Sequence, residues 1–129
     1  MPRMSREHAA RTEEMAGGRA STDTLNGYSV SIVSSGPEPV DLTEMLKGLP
    51  NDECPCPHWG YVLKGSQWYK SRNGTEVFGP GDAFFVGPGH TSGADANSEF
   101  VIFSPANQMA ELEAHFAKRA QEMQAAAAQ

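Results

Sequence analysis

Cysteine is scarce in this chain: there are two, Cys54 and Cys56, with one proline between them. A disulfide between such close neighbours would be strained. The thiols are therefore expected as ligands, reactive groups or small buried hydrophobes rather than as a staple. Long apolar runs are also missing, and nothing approaches the ~20 residues that span a bilayer. The opening "MPRMSREHAARTEEMAGGRA" mixes Arg, Glu and His with Ala instead of carrying the apolar stretch of a secretory signal. Both absences point to a cytoplasmic protein with no membrane partner. No basic stripe exists either, because ten Lys and Arg lie scattered among sixteen Asp and Glu, for a formal net charge of −6. Nucleic acid is accordingly not an expected partner.

What remains suffices for one domain, since 129 residues can bury a core without disulfides. Residues 1–20 read as an N-terminal arm, with "REHAARTEEMA" as a short helix stopped by Gly17-Gly18 and His8 as a solvated residue. From residue 21 the composition turns to β-branched, aromatic and turn residues. In "GYSVSIVSS", Tyr28, Val30 and Ile32 alternate with Ser29, Ser31 and Val33, predicting a strand with one buried face. "DLTEMLKGLP" reads as a short helix capped by Asp41 and closed by Gly48 and Pro50. Asn73-Gly74 is the dipeptide suited to a two-residue hairpin turn, and Pro80-Gly81 fits the centre of a type II turn. "EFVIF" is consistent with a strand buried on both faces. Six or so short strands with turn signals every 8–12 residues predict a small all-β sandwich or barrel over residues 21–105. The period then changes. Ser104 is expected as a cap and Pro105 as the first residue of a helix over 106–129, whose stripe Met109, Leu112, Phe116, Ala120 and Met123 either packs on the barrel or forms a dimer contact. His115 beside the stripe reads as packing or surface.

The stretch "NDECPCPHWGYVLKG" concentrates the chemistry. Cys54, Cys56 and His58 stand at i, i+2 and i+4, which in an extended strand share one face, with Pro55 and Pro57 on the other. Two prolines so close together exclude a helix there.

The succession "HWGYVLKG", a hairpin, "GPGDAFFVGPGH" and then "EFVIFSP" resembles the two motifs of the cupin superfamily, and more narrowly its small single-domain bacterial members, over residues 50–105. The resemblance implies a double-sheet (jelly-roll) barrel that usually holds one metal ion in its mouth, through two His and a Glu of the first motif and a His of the second. It also implies a family of dioxygenases, isomerases, epimerases, decarboxylases and metal-free binding modules, among which fold does not choose. Here the pattern departs. His58 stands where the first motif has its Glu, the His-x-His positions fall on Asp52 and Cys54, and Cys56 is an additional thiol. His90 directly follows Gly89, whereas the common pattern places its His three residues after that glycine, at Ser92 here.

Cys54, Cys56 and His58 projecting into a barrel mouth and met by His90 would form a Cys₂His₂ set suited to tetrahedral Zn²⁺, with Fe²⁺ as the alternative if one residue stays free. Four ligands would close the ion and three would leave it open, so the sequence does not divide an enzyme from a sensor or a structural site. Tyr28, Tyr61, Trp68, Phe84, Phe100 and Phe103 are the candidate wall of a small-molecule pocket, with Trp59 on the opposite sheet face. No separate general base stands out. Asp82 reads as a turn cap, Glu99 as a solvated strand residue, and Asp52 and Glu53 as a carboxylate near the metal or as loop residues. Two other readings stay open: a metal-free ligand-binding or oligomerisation module whose cysteines merely pack, and a thiol redox sensor.

Overall fold

Turn-forming residues divide the chain into strands that a computed structural model describes for residues 1–15 and 17–128. Ala16, at the end of the arm's expected helix, and Gln129, at the end of the chain, lie outside the described residues. The strands are β1 (Arg11–Met15), β2 (Gly18–Leu25), β3 (Tyr28–Ser34), β4 (Val40–Asp41), β5 (His58–Lys64), β6 (Gln67–Ser71), β7 (Gly74–Phe78), β8 (Ala83–Val86), β9 (Thr91–Ala94) and β10 (Glu99–Pro105). A 3₁₀ turn at Pro50–Asp52 and one helix, α1 (Ala106–Ala127), complete the fold. Two antiparallel sheets face each other, in the orders β1-β2-β3-β10-β5-β8 and β4-β9-β6-β7.

Three turns show how local chemistry sets this layout. Asn26 and Gly27 both adopt positive φ, 48° and 86°, so that Leu25 pairs with Tyr28 across a two-residue turn whose twist matches its strands. At Gly79–Asp82 the Asp82 N–H donates to the Gly79 carbonyl, and the Asp82 carboxylate accepts the Gly79 N–H at 2.8 Å, the capping role expected of it. The β6–β7 hairpin also forms, but Gly74 already pairs with Ser71, so Arg72 and Asn73 are its central residues.

Other expectations fail for identifiable reasons. Among the described residues of the arm no helix forms: Arg11–Met15 pairs with β2, extending the large sheet to six strands. The helix expected after Asp41 does not form; between β4 and the 3₁₀ turn the chain makes turns and a Lys47–Leu49 bridge, and although Asp41 accepts the Thr43 N–H at 2.9 Å, one α-type bond, Leu46 N–H to the Leu42 carbonyl, is not propagated. Ser104 is no cap, because it is the buried penultimate residue of β10, and Pro105 is the N-cap rather than the first helical residue.

The strand β3 forms, but neither face is uniformly buried. Ser31 and Val33 line the cavity, while on the other face Tyr28 is exposed and Val30 is buried. The strand β10 likewise buries Phe100 and Ile102 but leaves Phe103 exposed. Val62, Tyr69, Phe84, Ala94, Phe100 and Ile102 form the core between the sheets, with Phe78 stacked on Phe84 at 4.4 Å. A second cluster joins Leu46, Cys54, Cys56 and Leu112, with Met109 and Phe116 against it. The helix stripe thus packs on the barrel through its first half, while Met123 is exposed.

Gly60 lies in β5 facing the core, where a methyl group would overlap the Phe84 ring and crowd Ile102. We expect Gly60→Ala to cost about 1–3 kcal/mol through overpacking, read as a lower urea midpoint; an unchanged midpoint would show a core loose enough to absorb the methyl.

Candidate metal centre

Pro55 and Pro57 prevent the segment before β5 from joining the sheet as a regular strand, so its path is set elsewhere. The Cys54 N–H donates to the His90 carbonyl at 2.7 Å, and the Gly89 N–H to the Cys54 carbonyl at 2.8 Å. Gly89, at φ 91°, turns the chain to make that pairing. His58 comes from the register of β5, opposite Val86.

Together these place one ligand atom each from Cys54, His58 and His90 within 4.8 Å of one another, all three residues being buried. Cys54 Sγ lies 3.6 Å from His58 Nε2. In a tetrahedral Zn²⁺ site, with Zn–S near 2.3 Å and Zn–N near 2.1 Å, sulfur and nitrogen ligands stand about 3.6 Å apart. The imidazole rings of His58 and His90 meet edge to face at 5.1 Å.

Each imidazole is oriented through its other nitrogen. His90 Nδ1 is 2.8 Å from the Gly87 carbonyl, an acceptor, so this nitrogen carries the proton and donates it. His90 Nε2 is left with its lone pair, buried and without a hydrogen-bond partner among the described residues. His58 Nδ1 lies 2.7 Å from Ser104 Oγ. Partners of this kind hold ligand imidazoles in metal sites. Burial pushes the His58 imidazole down to about 3, helped by neighbouring His90. His90 is also lowered by burial, against the Gly87 hydrogen bond and the Glu53 carboxylate. Both rings are therefore neutral at pH 7, the form that binds metals. Burial raises Cys54 to about 12, so without a counter-charge it stays a thiol.

Cys56 does not join the group. Its Sγ faces the Pro57 carbonyl at 3.5 Å and lies in the cluster with Leu46 and Leu112. Burial raises it to about 11, with a Ser104 hydrogen bond opposing, and Cys56 meets the group through Ser104 and through its carbonyl, 3.7 Å from Cys54 Sγ, rather than through its own sulfur. The two prolines account for this: Cys54, Cys56 and His58 would share one face only in a regular strand. Asp52 is also elsewhere, accepting the Gly48 N–H at 3.0 Å.

A cavity of about 200 Å³ adjoins the group, bordered by Cys54 and His58. Val33, Phe100, Ile102, Met109, Leu112 and Phe116 supply its apolar wall. Of the six aromatics expected there, only Phe100 borders it; Phe84 lies in the core, Tyr28, Tyr61 and Phe103 are exposed outside, and Trp68 is half-buried. Trp59 is on the opposite face, as expected. Two lining residues carried no sequence signal. Tyr69 sets its ring against His90 at 5.1 Å and His58 at 6.3 Å. Gln67, one pleat repeat along β6, is buried with its Oε1 lacking a partner among the described residues. At the rim Arg11 pairs with Glu113 of α1 and with Glu13, closing the helix onto β1.

A two-sheet antiparallel barrel with a buried Cys/His/His group and an adjoining cavity defines the class. No family model matches the chain, and no curated protein matches it. Solved structures do. The polyketide cyclase RemF from Streptomyces resistomycificus superimposes with a TM-score of 0.54 at 19% identity, covering 81% of this chain and 79% of that one. An RmlC-like cupin from Shewanella frigidimarina gives 0.50 at 19% identity, covering 74% and 83%. An oxalate decarboxylase variant from Bacillus subtilis gives 0.56 at 15% identity, covering 79% of this chain but only 28% of that longer one. The chain has the cupin fold, in a small single-barrel form with a C-terminal helix. No helix among the described residues is long and apolar enough to cross a membrane.

The lowered histidines give the metal-free protein a pH dependence. An unfolded imidazole takes up its proton near pH 6.5, whereas His58 in the fold resists until about 3. Stability from the neutral ring is full above pH 6.5 and falls with pH below it, at up to about 1.4 kcal/mol per pH unit for one histidine. Urea unfolding of chelator-treated protein between pH 7 and 5 should show this fall and His58→Gln should flatten it; equal slopes would mean that His58 protonates freely in the fold.

Proposed function

We propose that this is a metal-binding cupin holding Zn²⁺ through Cys54, His58 and His90, and that it binds, senses or transforms a small molecule in the adjoining cavity. The carrying observation is His90 Nε2: a buried lone pair, oriented by the Gly87 carbonyl, with no donor among the described residues to satisfy it. An unpaired buried acceptor costs about 1–3 kcal/mol, and an ion between it, His58 Nε2 and Cys54 Sγ removes that cost. A thiolate with two neutral imidazoles suits Zn²⁺ and disfavours Mg²⁺ and Ca²⁺; Fe²⁺ is the alternative. Ion binding would also release the Cys54 proton, since a coordinating thiol is deprotonated.

Three protein ligands, in place of the four expected from sequence, leave one position open. When bound, the ion supplies a Lewis acid there. The residues around it select the ligand. The wall of Val33, Phe100, Ile102, Met109, Leu112 and Phe116 favours a largely apolar molecule of modest size, while Gln67 Oε1 asks for a single hydrogen-bond donor. Arg11 at the rim is already neutralised by Glu113 and Glu13, which disfavours a highly charged substrate. We place the protein in the cytoplasm and read it as a homodimer.

The metal-free module is the second reading. It is favoured by the Cys54 to His58 contact, which a neutral thiol donating to a neutral imidazole satisfies without an ion. Elemental analysis of purified protein separates the two. We expect about one zinc or iron per chain in the wild type and in Cys56→Ala, with loss of at least tenfold in affinity in Cys54→Ala and His90→Ala. Equal sub-stoichiometric metal in all four would leave the metal-free module. With Co²⁺, a sulfur-to-metal absorption band that survives Cys56→Ala and disappears in Cys54→Ala would identify the coordinating thiol.

A further inference from the structure

Alternation along β6 buries Gln67 and Tyr69 and turns Trp68 and Lys70 the other way. Tyr69 belongs to the apolar core, and Gln67 stands in the same row. Its strand neighbours are Phe78 on β7 and Ala94 on β9, while Val33 and Phe100 of the facing sheet border the same cavity. Gln67 is only 6% exposed, yet its Oε1 has no partner among the described residues. Met would fill this place without a polar group to desolvate, so packing does not explain the amide. Neighbouring polar groups are engaged elsewhere. Thr22 Oγ1 and Ser31 Oγ pair at 2.9 Å, and Ser35 Oγ donates to the Asp95 carbonyl at 2.7 Å. Burial pushes the Tyr69 hydroxyl well above its ordinary range, and a Gln67 hydrogen bond acts against this. A group that lowers a phenol does so by donating to its oxygen. The Gln67 Nε2 therefore serves Tyr69, and its carbonyl is the end left over.

We propose that Gln67 determines which molecule the cavity accepts: its carbonyl oxygen takes a hydrogen bond from the O–H or N–H of a neutral molecule about the size of one six-membered ring. The inference rests on the small-molecule reading of the cavity and not on the ion. Size follows from volume. A dry cavity of about 150 Å³ holds benzene, so one of about 200 Å³ holds a ring with one or two short substituents. Orientation follows from strand geometry. The Tyr69 ring lies against His90 at 5.1 Å, and Gln67 stands two residues further along β6, roughly 7 Å at about 3.4 Å per residue. A ring with a substituent at either end bridges that distance, one end beside the Cys/His/His group and the other at Gln67. Selectivity follows from burial. An analogue lacking the donor leaves the Gln67 carbonyl unpaired, which discriminates far more strongly than an apolar wall does against one methylene.

Chemical-shift titration of the isotope-labelled full chain tests this, with phenol, anisole and toluene as probes, in the protein as purified and again after chelation. Phenol should bind at least tenfold more tightly than anisole or toluene in both states and should shift the Gln67 side-chain amide resonance. Gln67→Met should remove that preference. Anisole or toluene binding as tightly as phenol would overturn the donor requirement. A preference for phenol that survives Gln67→Met would overturn Gln67 as its source, and no binding by any probe up to its solubility limit would overturn the ring-sized occupant. Should Gln67→Met not fold, the wild type decides through the order of the three affinities and the Gln67 resonance. Metal content is measured separately: a phenol preference without zinc or iron would remove the ion and keep this inference, and stoichiometric metal without the preference would do the reverse.

Discussion

Three backbone hydrogen bonds between Cys54 and the Gly89-His90 pair hold the candidate centre together. They join a proline-interrupted segment, unable to pair along its length, to a glycine turn more than thirty residues later. Because each proline removes an N–H and fixes φ, the segment is stiff but unpaired, and this one bridge decides where its side chains go. Cys54 is set beside His90; Cys56, two residues on, is carried into the Leu46 and Leu112 cluster. Of the two thiols, Cys54 is thus the one delivered to the imidazoles.

Burial gives this arrangement its chemical meaning. In water a thiol and two imidazoles would ionise near neutrality according to their own affinities. Between the sheets, desolvation holds all three neutral and leaves one nitrogen lone pair without a partner among the described residues. The candidate centre is thereby a set of three uncharged groups whose atoms lie close enough together to hold a metal ion. Ser104 and the Gly87 carbonyl complete it by fixing ring orientation. Their participation comes from their place in β10 and in the turn after β8, not from their residue type. The same sheet that turns His58 and Ser104 inward turns Trp59 and Phe103 outward, so the centre and the apolar outer face are two sides of one alternation.

Much of the architecture could be read from short-range signals. The Pro80-Gly81 turn, the β6–β7 hairpin, the general all-β pattern and the C-terminal helix follow from residues within a few positions of one another. The errors share a cause as well. Arg11–Met15 carries no apolar alternation and is a strand only because β2 offers its edge. Alternation in β3 was visible, but a period of two does not say which face is inside when one face carries Ser and Val around a cavity and the other Tyr and Val. Asn26-Gly27, the tightest hairpin signal of the first half, shows that β2 was within reach of the same turn chemistry used at Asn73-Gly74.

By itself the sequence determined the fold class, the neighbourhood of the chemistry and the four residues from which a ligand set would be drawn, because turn residues and side-chain period act locally and the cysteines and His58 are close along the chain. Tertiary structure decided which three of the four converge, which nitrogen of His90 is free, and which face of the large sheet meets solvent. Those outcomes depend on contacts between segments tens of residues apart, where hydrogen-bond register and desolvation, rather than spacing, set the result.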